Sequence, residues 1–395
     1  MPIASLPIEI VHEIASHLRA PPFTDSHQAV EDGQSMSLAC RSWYPIGQEL
    51  RWRSIQVDIV AVPSLLVHFD LHPHLPRLVF GLDQSHSSPS ETETDQEQKV
   101  YESLPKLLST LGELRTLHLR PINSTFEPVF QATASLPLLT TMLINPGGNL
   151  SWSKTIDTTF AQGFPSIREF YLLSTHLVVV DEGLTVSTNS NLKKLQRLSL
   201  TWSGSIDSSP VPRILANLDL AVLQSLLVGG VPACTFPFES LARCTSLEYL
   251  RVYDSSQFFD STFPTLIANL SKVSSLAVLE YHVDGGGTDQ ASYASTTTLE
   301  ELFNSVPPNL EIVQVKQVAF ARCDSVEDQP LVAINSGDGF CVVQGLAVTP
   351  KGNRCMYAWK ALGKKESKSY RSILSRSPWN EDTTRYIVSY STLLR

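Results

Sequence analysis

The sequence Leu195-Gln196-Arg197-Leu198-Ser199-Leu200 decides the fold, because its spacing of apolar side chains returns along most of the chain. The pattern is an apolar residue, two variable residues, an apolar residue, one variable residue and a third apolar residue. It recurs at Leu75/Leu78/Phe80, Leu114/Leu117/Leu119, Leu139/Met142/Ile144, Ile167/Phe170/Leu172, Leu195/Leu198/Leu200, Leu223/Leu226/Val228, Leu247/Leu250/Val252, Leu276/Leu279/Tyr281 and Leu310/Val313/Val315. From Leu114 onward the starts are separated by 25, 28, 28, 28, 24, 29 and 34 residues. This period indicates a stack of similar structural units.

Each unit is expected to contain one short strand, since its last three pattern positions alternate in polarity. Segments 212–220, 238–244 and 264–270 predict short helices on the opposite side of the units. One set of strand side chains should face the core and the other should face outward. The expected outward positions are His118, Arg120, Tyr171, Leu173, Ser199, Thr201, Leu227, Arg251, Tyr253, Glu280, His282, Gln314 and Lys316.

The first fifty residues have a different, helical periodicity. Ile10, Ile14 and Leu18 recur at every fourth position, and Pro7 is well suited to the first turn of that helix. Polar residues fill 24–35 and predict a loop, after which a second helix begins near Met36 and a third follows Pro45. Residues 52–57 predict the first strand. Three short helices expose more apolar surface than they can bury alone, so they either cap the repeats or bind another protein.

Three segments interrupt or end the pattern. Residues 83–103 are rich in Ser, Glu and Thr and predict a mobile loop, either a plain insertion or a phosphorylated regulatory segment. The pattern fades after 319, and residues 340–348 predict one further strand that closes the array. Residues 351–376 contain many Lys and Arg side chains and predict a solvated basic tail, with a membrane- or nucleic-acid-binding segment or a nuclear signal as alternatives.

The composition excludes several classes of protein. A net charge of −9 argues against general nucleic-acid binding, which requires a basic surface. The six cysteines are scattered without paired spacing, which is typical of reduced intracellular thiols. The sequence has neither a signal-peptide pattern nor an apolar run long enough to span a membrane. We therefore expect a protein of the cytoplasm or nucleus that does not bind membranes.

No catalytic motif emerges from the sequence. A phosphate-binding glycine loop, a dinucleotide fingerprint and a nucleophile elbow are all missing. His68, Asp70, His72 and His74 form the densest group of potential metal ligands, but Pro73 disturbs their helical alignment. We therefore expect no cofactor, no metal site and no catalytic residue, and keep an enzyme with dispersed site residues as the weakest hypothesis.

Two parts of the chain resemble known families. Residues 4–58 resemble an F-box through the ordered set Leu6-Pro7-Ile8-Glu9-Ile10, Ile14, Leu18, Cys40-Arg41-Ser42-Trp43-Tyr44, Leu50, Trp52, Arg53 and Ile55. Residues 75–318 resemble leucine-rich repeats, although the asparagine or cysteine that this family places after each strand is missing. The chain is thus similar to the F-box proteins with C-terminal leucine-rich repeats, of the irregular fungal-like type.

The resemblance implies an α/β fold. A three-helix F-box hairpin at 1–58 would precede an irregular solenoid at 59–348, with parallel strands on its concave side and helices or loops on its convex side. A basic tail or capping segment would follow at 349–395.

The resemblance also implies a function without catalysis. Such a chain is the substrate-recognition subunit of a cullin-type (SCF) ubiquitin ligase. Its F-box binds the adaptor subunit, and through it a cullin, while its repeats bind an unknown target protein. The adaptor contacts would fall on Leu6, Pro7, Ile10, Ile14, Leu18 and Trp43.

The outward strand positions are the expected target contacts. Among them Tyr171, Arg251 and Tyr253 are the best anchors, because aromatic and arginine side chains dominate interface energetics. The full set of candidates is His118, Arg120, Tyr171, Arg251, Tyr253, Glu280, His282 and Lys316. The alternative function is a protein-interaction scaffold outside any ligase, in which the helices only cap the repeats.

Overall fold

A computed structural model describes residues 8–17, 26–39, 41, 43–85, 102–120, 123–146, 149–179, 192–203, 209–255, 259–284, 302, 305–315, 318–323 and 358–361. The chain divides into two compact units, Met1–Lys194 and Leu195–Arg395. Both are α/β, with parallel strands joined through helices. The boundary expected after residue 58 lies inside the first unit.

Three helices open the first unit: α1 (Ile8–His17), α2 (Ser26–Ala39) and α3 (Tyr44–Arg53). They enclose a small apolar core made of Val11, Ala15, Met36, Trp43, Ile46 and Leu50. The loop predicted at 24–35 is wrong, because α2 already begins at Ser26. Packing of Met36 in the core anchors the end of α2, and a polar segment without proline can then extend the helix toward the N-terminus.

The remaining helices and strands of the first unit follow in alternation. They are β1 (Ser54–Asp58), α4 (Val62–Leu71), β2 (Gly81–Ser85), α5 (Leu104–Thr110), β3 (Thr116–Leu119), α6 (Asn123–Ala134), β4 (Thr141–Ile144), β5 (Asn149–Trp152), α7 (Lys154–Gln162) and β6 (Glu169–Val179). The strands pair in the order β1-β2-β3-β4-β6, all parallel, and β5 pairs with the far end of β6.

The second unit repeats this arrangement. It contains β7 (Arg197–Ser203), α8 (Val211–Ala216), β8 (Ser225–Gly230), α9 (Val231–Thr235), β9 (Tyr249–Ser255), α10 (Phe259–Leu270), β10 (Val278–Asp284), β11 (Ile312–Val315), β12 (Val318–Cys323) and β13 (Ala358–Ala361). Strands β7 to β11 are parallel, and 3₁₀-helices at Leu220–Val222 and Phe238–Arg243 lie in the connections from β7 to β8 and from β8 to β9.

The spacing of apolar residues predicts the register as well as the strands. Equivalent residues of successive repeats are direct neighbours, so Leu198 pairs with Leu226, Leu226 with Leu250, and Leu250 with Leu279. All four are completely buried. A one-residue slip would turn every one of these leucines to the other face, which fixes the register strongly.

One predicted strand is misplaced. Leu75–Leu78 form a turn of 3₁₀-helix, and the strand lies further on, at Gly81–Ser85. Pro76 explains the difference, because proline lacks the N–H that a strand inside a sheet must donate. Likewise, Trp52 belongs to α3 rather than to the first strand, which begins at Ser54. Residues 83–85 of the loop expected at 83–103 belong to β2, and residues 86–101 lie outside the described residues.

A recurring backbone contact marks where the parallel strands β3, β4, β6, β8, β9 and β10 begin. The carbonyl of the residue before one strand accepts from two consecutive N–H groups of the next repeat. Gln224 O thus accepts from Glu248 N at 2.9 Å and Tyr249 N at 3.1 Å, and Glu248 O accepts from Ala277 N and Val278 N at 2.9 and 3.0 Å.

Polar side chains before the strands add a second ladder. Ser166 Oγ donates to Pro137 O, Ser275 Oγ to Leu247 O and Asn309 Nδ2 to Ser274 O, at 2.7, 2.8 and 2.8 Å. Side chains therefore join successive repeats ahead of the strands.

The C-terminal strands reverse the pattern. β12 is antiparallel to β11, and β13 is antiparallel to β12. The strand predicted at 340–348 lies outside the described residues, as does the basic segment 351–376 apart from β13. Among the helices described, none is long and apolar enough to cross a membrane.

Candidate functional site

The candidate site lies on strands β9 and β10, on the face opposite the buried leucines. Tyr249, Arg251 and Tyr253 alternate along β9, and Glu280 and His282 alternate along β10. The register places Arg251 beside Glu280 and Tyr253 beside His282. We call these five residues the β9–β10 cluster.

A buried ion pair forms the centre of the cluster. Arg251 Nε contacts Glu280 Oε2, with the two side chains only 9% and 2% exposed. His282 Nε2 lies 3.2 Å from the same carboxylate oxygen, and Arg251 Nη1 donates to Tyr253 Oη at 3.4 Å. Because a buried charge is costly without a partner, the pair holds both side chains in place.

Aromatic rings surround the guanidinium. The Cζ atom of Arg251 lies 5.6 Å from the Tyr249 ring centroid and 5.8 Å from that of Tyr253. The Tyr253 and His282 rings stack with centroids 4.8 Å apart and an angle of 18° between them. Cation–π contacts of this kind add to the attraction of the ion pair. Tyr253 and His282 are the partly exposed members of the cluster.

The pair controls the protonation of its own members. Burial favours the neutral form of Glu280, but the charge of Arg251 and the bond from His282 outweigh it and lower the pKa of Glu280 to about 2. Burial alone would lower the pKa of Arg251, yet Tyr249 and Glu280 raise it above its usual value. Both groups are therefore charged at neutral pH.

Small and polar residues continue the same face onto β8 and β7. Gly229 lies between Thr201 and Tyr253 in the register, and a Cβ atom there would be 3.0 Å from Thr201 Cγ2 and 3.2 Å from Tyr253 Cβ. Glycine thus lets the neighbouring side chains close over β8. Ser199 and Thr201 on β7 are buried hydroxyl residues of this face.

The corresponding face of the first unit carries a different pair. His118 Nδ1 lies 2.8 Å from Asp83 Oδ1 on the neighbouring strand, and the His118 side chain is fully buried. Gln84 and Arg120 exchange two bonds: Gln84 Nε2 donates to Arg120 O, and Arg120 N donates to Gln84 Oε1, both at 3.1 Å. Tyr171 Oη donates to Glu169 Oε2 at 3.1 Å.

The expectation of solvent-facing side chains is therefore wrong at several positions. His118, Tyr171, Arg251 and Glu280 are buried, since neighbouring strands are close enough for long side chains to cover one another. Arg120, Tyr253 and His282 are partly exposed. The structure brings Arg251, Tyr253, Glu280 and His282 together, whereas His118, Arg120 and Tyr171 belong to the other unit. Lys316 lies outside the described residues.

The helix α1 presents the second candidate surface. Ile10 is 47% exposed and Ile14 is 38% exposed, whereas Val11 and Ala15 on the same helix are buried. Trp43 is buried in the same helical core as Val11 and Ala15 of α1. Leu6, Pro7 and Leu18 lie outside the described residues. We call Ile10 and Ile14 the α1 ridge.

A comparison of the chain with models of known protein families finds no match, and a comparison with curated protein sequences finds none either.

Sequence reasoning missed two contributors to the cluster. Tyr249 precedes Arg251 by two residues and hence shares its face, a signal that the alternation itself contains. Gly229 matters through the space it leaves, and its position beside Tyr253 emerges only when the repeats are aligned in register.

A second network, on the core side of β9 and β10, joins Tyr281, Asp254 and the half-buried Cys234. Tyr281 Oη donates to Asp254 Oδ2 at 2.5 Å, and Cys234 Sγ donates to Asp254 Oδ1 at 3.7 Å. Burial, followed by the charge of Asp254, raises the pKa of Cys234 to about 12, and the same two causes raise the pKa of Tyr281 above its usual value. A protonated thiol is a poor nucleophile, so this network holds elements together and does not suit covalent chemistry.

The histidines near α4 contact aromatic rings and one another through their own rings. The His68 ring stacks on Trp52 at 5.5 Å and lies 4.7 Å from the His72 ring, which is 6.2 Å from that of His74. Within the part of the chain that the structure describes, no group of three or more His, Cys, Asp or Glu residues could hold a metal ion.

Proposed function

We propose that this chain is the substrate-recognition subunit of a cullin-type ubiquitin ligase. The helices α1 to α3 act as an F-box whose α1 ridge binds the adaptor subunit. The strands are those of an irregular leucine-rich-repeat solenoid, and the strand face that carries the β9–β10 cluster binds the target protein. The chain itself supplies no acid, base or nucleophile.

The observation that carries this proposal is the exposure of the α1 ridge. Val11 and Ala15 anchor α1 in the helical core, while Ile10 and Ile14, on the adjacent face of the same helix, remain exposed. Two neighbouring isoleucines that are partly exposed favour association with another apolar surface, since burying the exposed part of each would contribute about 1 kcal/mol. The ridge coincides with positions at which the F-box resemblance puts adaptor contacts.

The repeats support the second half of the proposal. Parallel strands in one register present a continuous row of side chains, and in the second unit this row gathers arginine, tyrosine and histidine at one place. These residue types are enriched among the anchors of protein interfaces.

Rate enhancement in such a complex comes from proximity. Holding the target and the ubiquitin carrier in one assembly raises the local concentration of target lysines at the reactive thioester. The recognition subunit then needs two binding surfaces and a stable connection between them.

Adaptor binding tests the proposal directly. Purified full-length chain is mixed with recombinant adaptor subunit, and binding is measured by calorimetry for the wild type and for Ile10→Glu/Ile14→Glu. We expect a complex with the wild type and at least about tenfold weaker binding for the double variant, because charges would enter an apolar interface.

A matched control uses the same helix. Glu13→Gln changes an exposed residue of α1 and should leave adaptor binding within about twofold. Circular dichroism should be unchanged in both variants, since none of the three side chains is buried. A wild-type chain that forms no complex with the adaptor would refute the proposal.

That negative outcome would favour a protein-interaction scaffold outside any ligase. One contact supports this second candidate: α3 runs directly into β1, and Phe80 N donates to Arg53 O at 2.9 Å. The helices are thus continuous with the first strands, as an end cap would be. On this hypothesis the α1 ridge affects solubility and not partner binding.

A further inference from the structure

We propose that the β9–β10 cluster receives a lysine or arginine side chain from an unphosphorylated segment of the target protein. This inference rests on the proposed target-binding role of the strand face and specifies its chemistry. An arginine on a strand face would by itself favour anions, so the charge that this face accepts depends on the partners that Arg251 already has.

Arg251 is already engaged and does not suit an anionic ligand. Its Nε contacts Glu280, Nη1 donates to Tyr253, and the planar group lies against two tyrosine rings. A phosphate would have to displace the carboxylate of Glu280, which would leave that buried charge without its partner. The phosphate would also face the negative charge of Glu280 directly.

Glu280 has capacity for another donor. Its Oε2 contacts both Arg251 and His282, but no hydrogen bond reaches Oε1 from the residues that the structure describes. The residue is 1% exposed and ionised, and a buried carboxylate oxygen without a donor is costly. An ammonium or guanidinium group from a partner would satisfy it.

The exposed part of the cluster suits the stem of a cationic side chain. Tyr253 and His282 form a stacked pair of rings, and His282, whose side chain is 26% exposed, lies 3.2 Å from the carboxylate of Glu280. Aromatic surfaces pack well against the methylene groups of lysine and arginine and attract their charged ends. Rotation of the part-exposed His282 ring would open the route to Glu280.

The charges around the cluster agree with this selection. Arg251 and Glu280 neutralise one another, so an entering cation meets no net positive charge. The whole chain carries a net charge of −9, and its field therefore favours the approach of cations over anions.

The test uses small probes with the full-length chain. N-acetyl-lysine methylamide, N-acetyl-norleucine methylamide and N-acetyl-phosphoserine methylamide are titrated while the ring resonances of the histidines are followed by NMR. Loss of one resonance in His282→Gln assigns that ring. We expect the lysine probe to shift the His282 resonance and to bind about tenfold more tightly than norleucine, which has the same stem without the charge.

Two variants separate recognition from folding. Glu280→Gln should reduce lysine binding about tenfold. Because Glu280→Gln also leaves Arg251 without its ion pair, a second variant is needed. Tyr253→Leu removes the aromatic ring and leaves Arg251 and Glu280 paired, and it should also weaken lysine binding. Glu311→Gln, at an exposed residue before β11, is the matched control and should bind like the wild type.

Equal affinity for lysine and norleucine, or tighter binding of phosphoserine than of lysine, would overturn the inference. Lysine binding that persists in both Tyr253→Leu and Glu280→Gln would do so as well. None of these outcomes involves the adaptor, so they leave the adaptor experiment to decide the proposed function separately.

Discussion

Arg251 illustrates how a single side chain organises its surroundings. Its buried guanidinium needs a carboxylate, and the register supplies Glu280 directly opposite on the next strand. Tyr249 and Tyr253, two residues away on either side, cover the flat faces of the group because alternate residues of a strand share a face. Three of these four residues are on β9, so one short sequence specifies most of the cluster.

The ion pair predicts a pH dependence of stability. The pKa of Glu280 is about 2 in the folded chain, compared with 4.5 for the same group in the unfolded chain. Ionisation of Glu280 therefore stabilises the fold fully above pH 4.5, and this stabilisation is lost as the pH falls toward 2. The difference corresponds to about 3 kcal/mol. We expect Glu280→Gln to lower the free energy of unfolding by roughly that amount at pH 6 and by much less at pH 3.

Urea unfolding followed by tryptophan fluorescence measures this, because Trp202 is buried in the same unit. Glu311→Gln serves as the control with an exposed glutamate. A difference between wild type and Glu280→Gln that stayed constant from pH 6 to pH 3 would contradict the assignment of a charged pair.

The raised pKa of Cys234 predicts slow alkylation of its thiol. With burial and Asp254 raising its pKa to about 12, its thiolate population at pH 8 is about a thousandfold below that of an ordinary thiol with pKa 9.0. Alkylation by iodoacetamide, followed by peptide mass spectrometry, should be slower by about that factor in the folded chain. The same peptide from urea-denatured protein provides the reference rate, and equal rates in the two states would show the buried network to be wrong.

Sequence alternation predicts which face a residue occupies but not how exposed it is. Arg251, Tyr253, Glu280 and His282 could be assigned to one face from the repeats alone. Their burial depends on neighbours in other repeats. His118, for example, is fully buried and contacts Asp83, which lies 35 residues earlier in the chain. Contacts between repeats depend on the register and on the side chains of both neighbouring strands. A single repeat contains neither the register nor the side chains of its neighbours.

At the scale of whole elements, the strands begin where backbone carbonyls accept two N–H groups from the next repeat. This contact is independent of side-chain identity, so it tolerates the variable residues between the apolar positions. The ends of the strands are less uniform and depend on individual residues. β8 ends at Gly230, which has a φ of 68° and leads straight into α9.

Gly230 therefore predicts a strong effect of a small substitution. A Cβ atom there would lie 2.3 Å from Trp202 O, and the positive φ disfavours any other residue. We expect Gly230→Ala to lower the free energy of unfolding by at least about 2 kcal/mol, measured by urea denaturation.

Gly112→Ala provides the matched control for this prediction, since a Cβ atom at Gly112 would have no neighbour within 4 Å. It should change the free energy of unfolding by less than about 0.5 kcal/mol. Comparable losses in the two variants would mean that the turn between β8 and α9 does not have the described geometry.

Helices and strands whose apolar residues recur with a clear period can be predicted from the sequence. Those whose position depends on a few local residues cannot. The strands from β3 to β11 follow the apolar pattern, apart from β5, which has no repeat of its own. β2 was misplaced because Pro76 falls inside the pattern, and α2 was shortened because its first half has no apolar stripe. β12 lies where the pattern had already faded, although Val318 to Cys323 still alternates.

At the scale of the molecule, the two proposed surfaces belong to different units. The α1 ridge is in the first unit and the β9–β10 cluster is in the second. An adaptor contact and a target contact should therefore be separable by mutation, as proximity catalysis by a non-catalytic subunit requires.

Mutations in one of the two surfaces should leave binding at the other unchanged. Ile10→Glu/Ile14→Glu should lose adaptor binding while it still binds the lysine probe, and Tyr253→Leu should show the reverse. Calorimetry with the adaptor and NMR with the probe measure the two properties on the same preparations. Loss of both properties in either variant would mean that the surfaces are not independent.

The reversal of direction at β12 has a consequence for how such a chain can lengthen over evolutionary time. A duplicated segment inserted among the parallel strands can hydrogen-bond to both neighbours in the direction that they already have. The same segment placed after β11 would pair in parallel with β11 and antiparallel with β12, as β11 itself does with β10 and β12. Repeats can therefore be added up to β12, whereas a strand of the same direction placed directly against the far side of β12 would have to pair antiparallel.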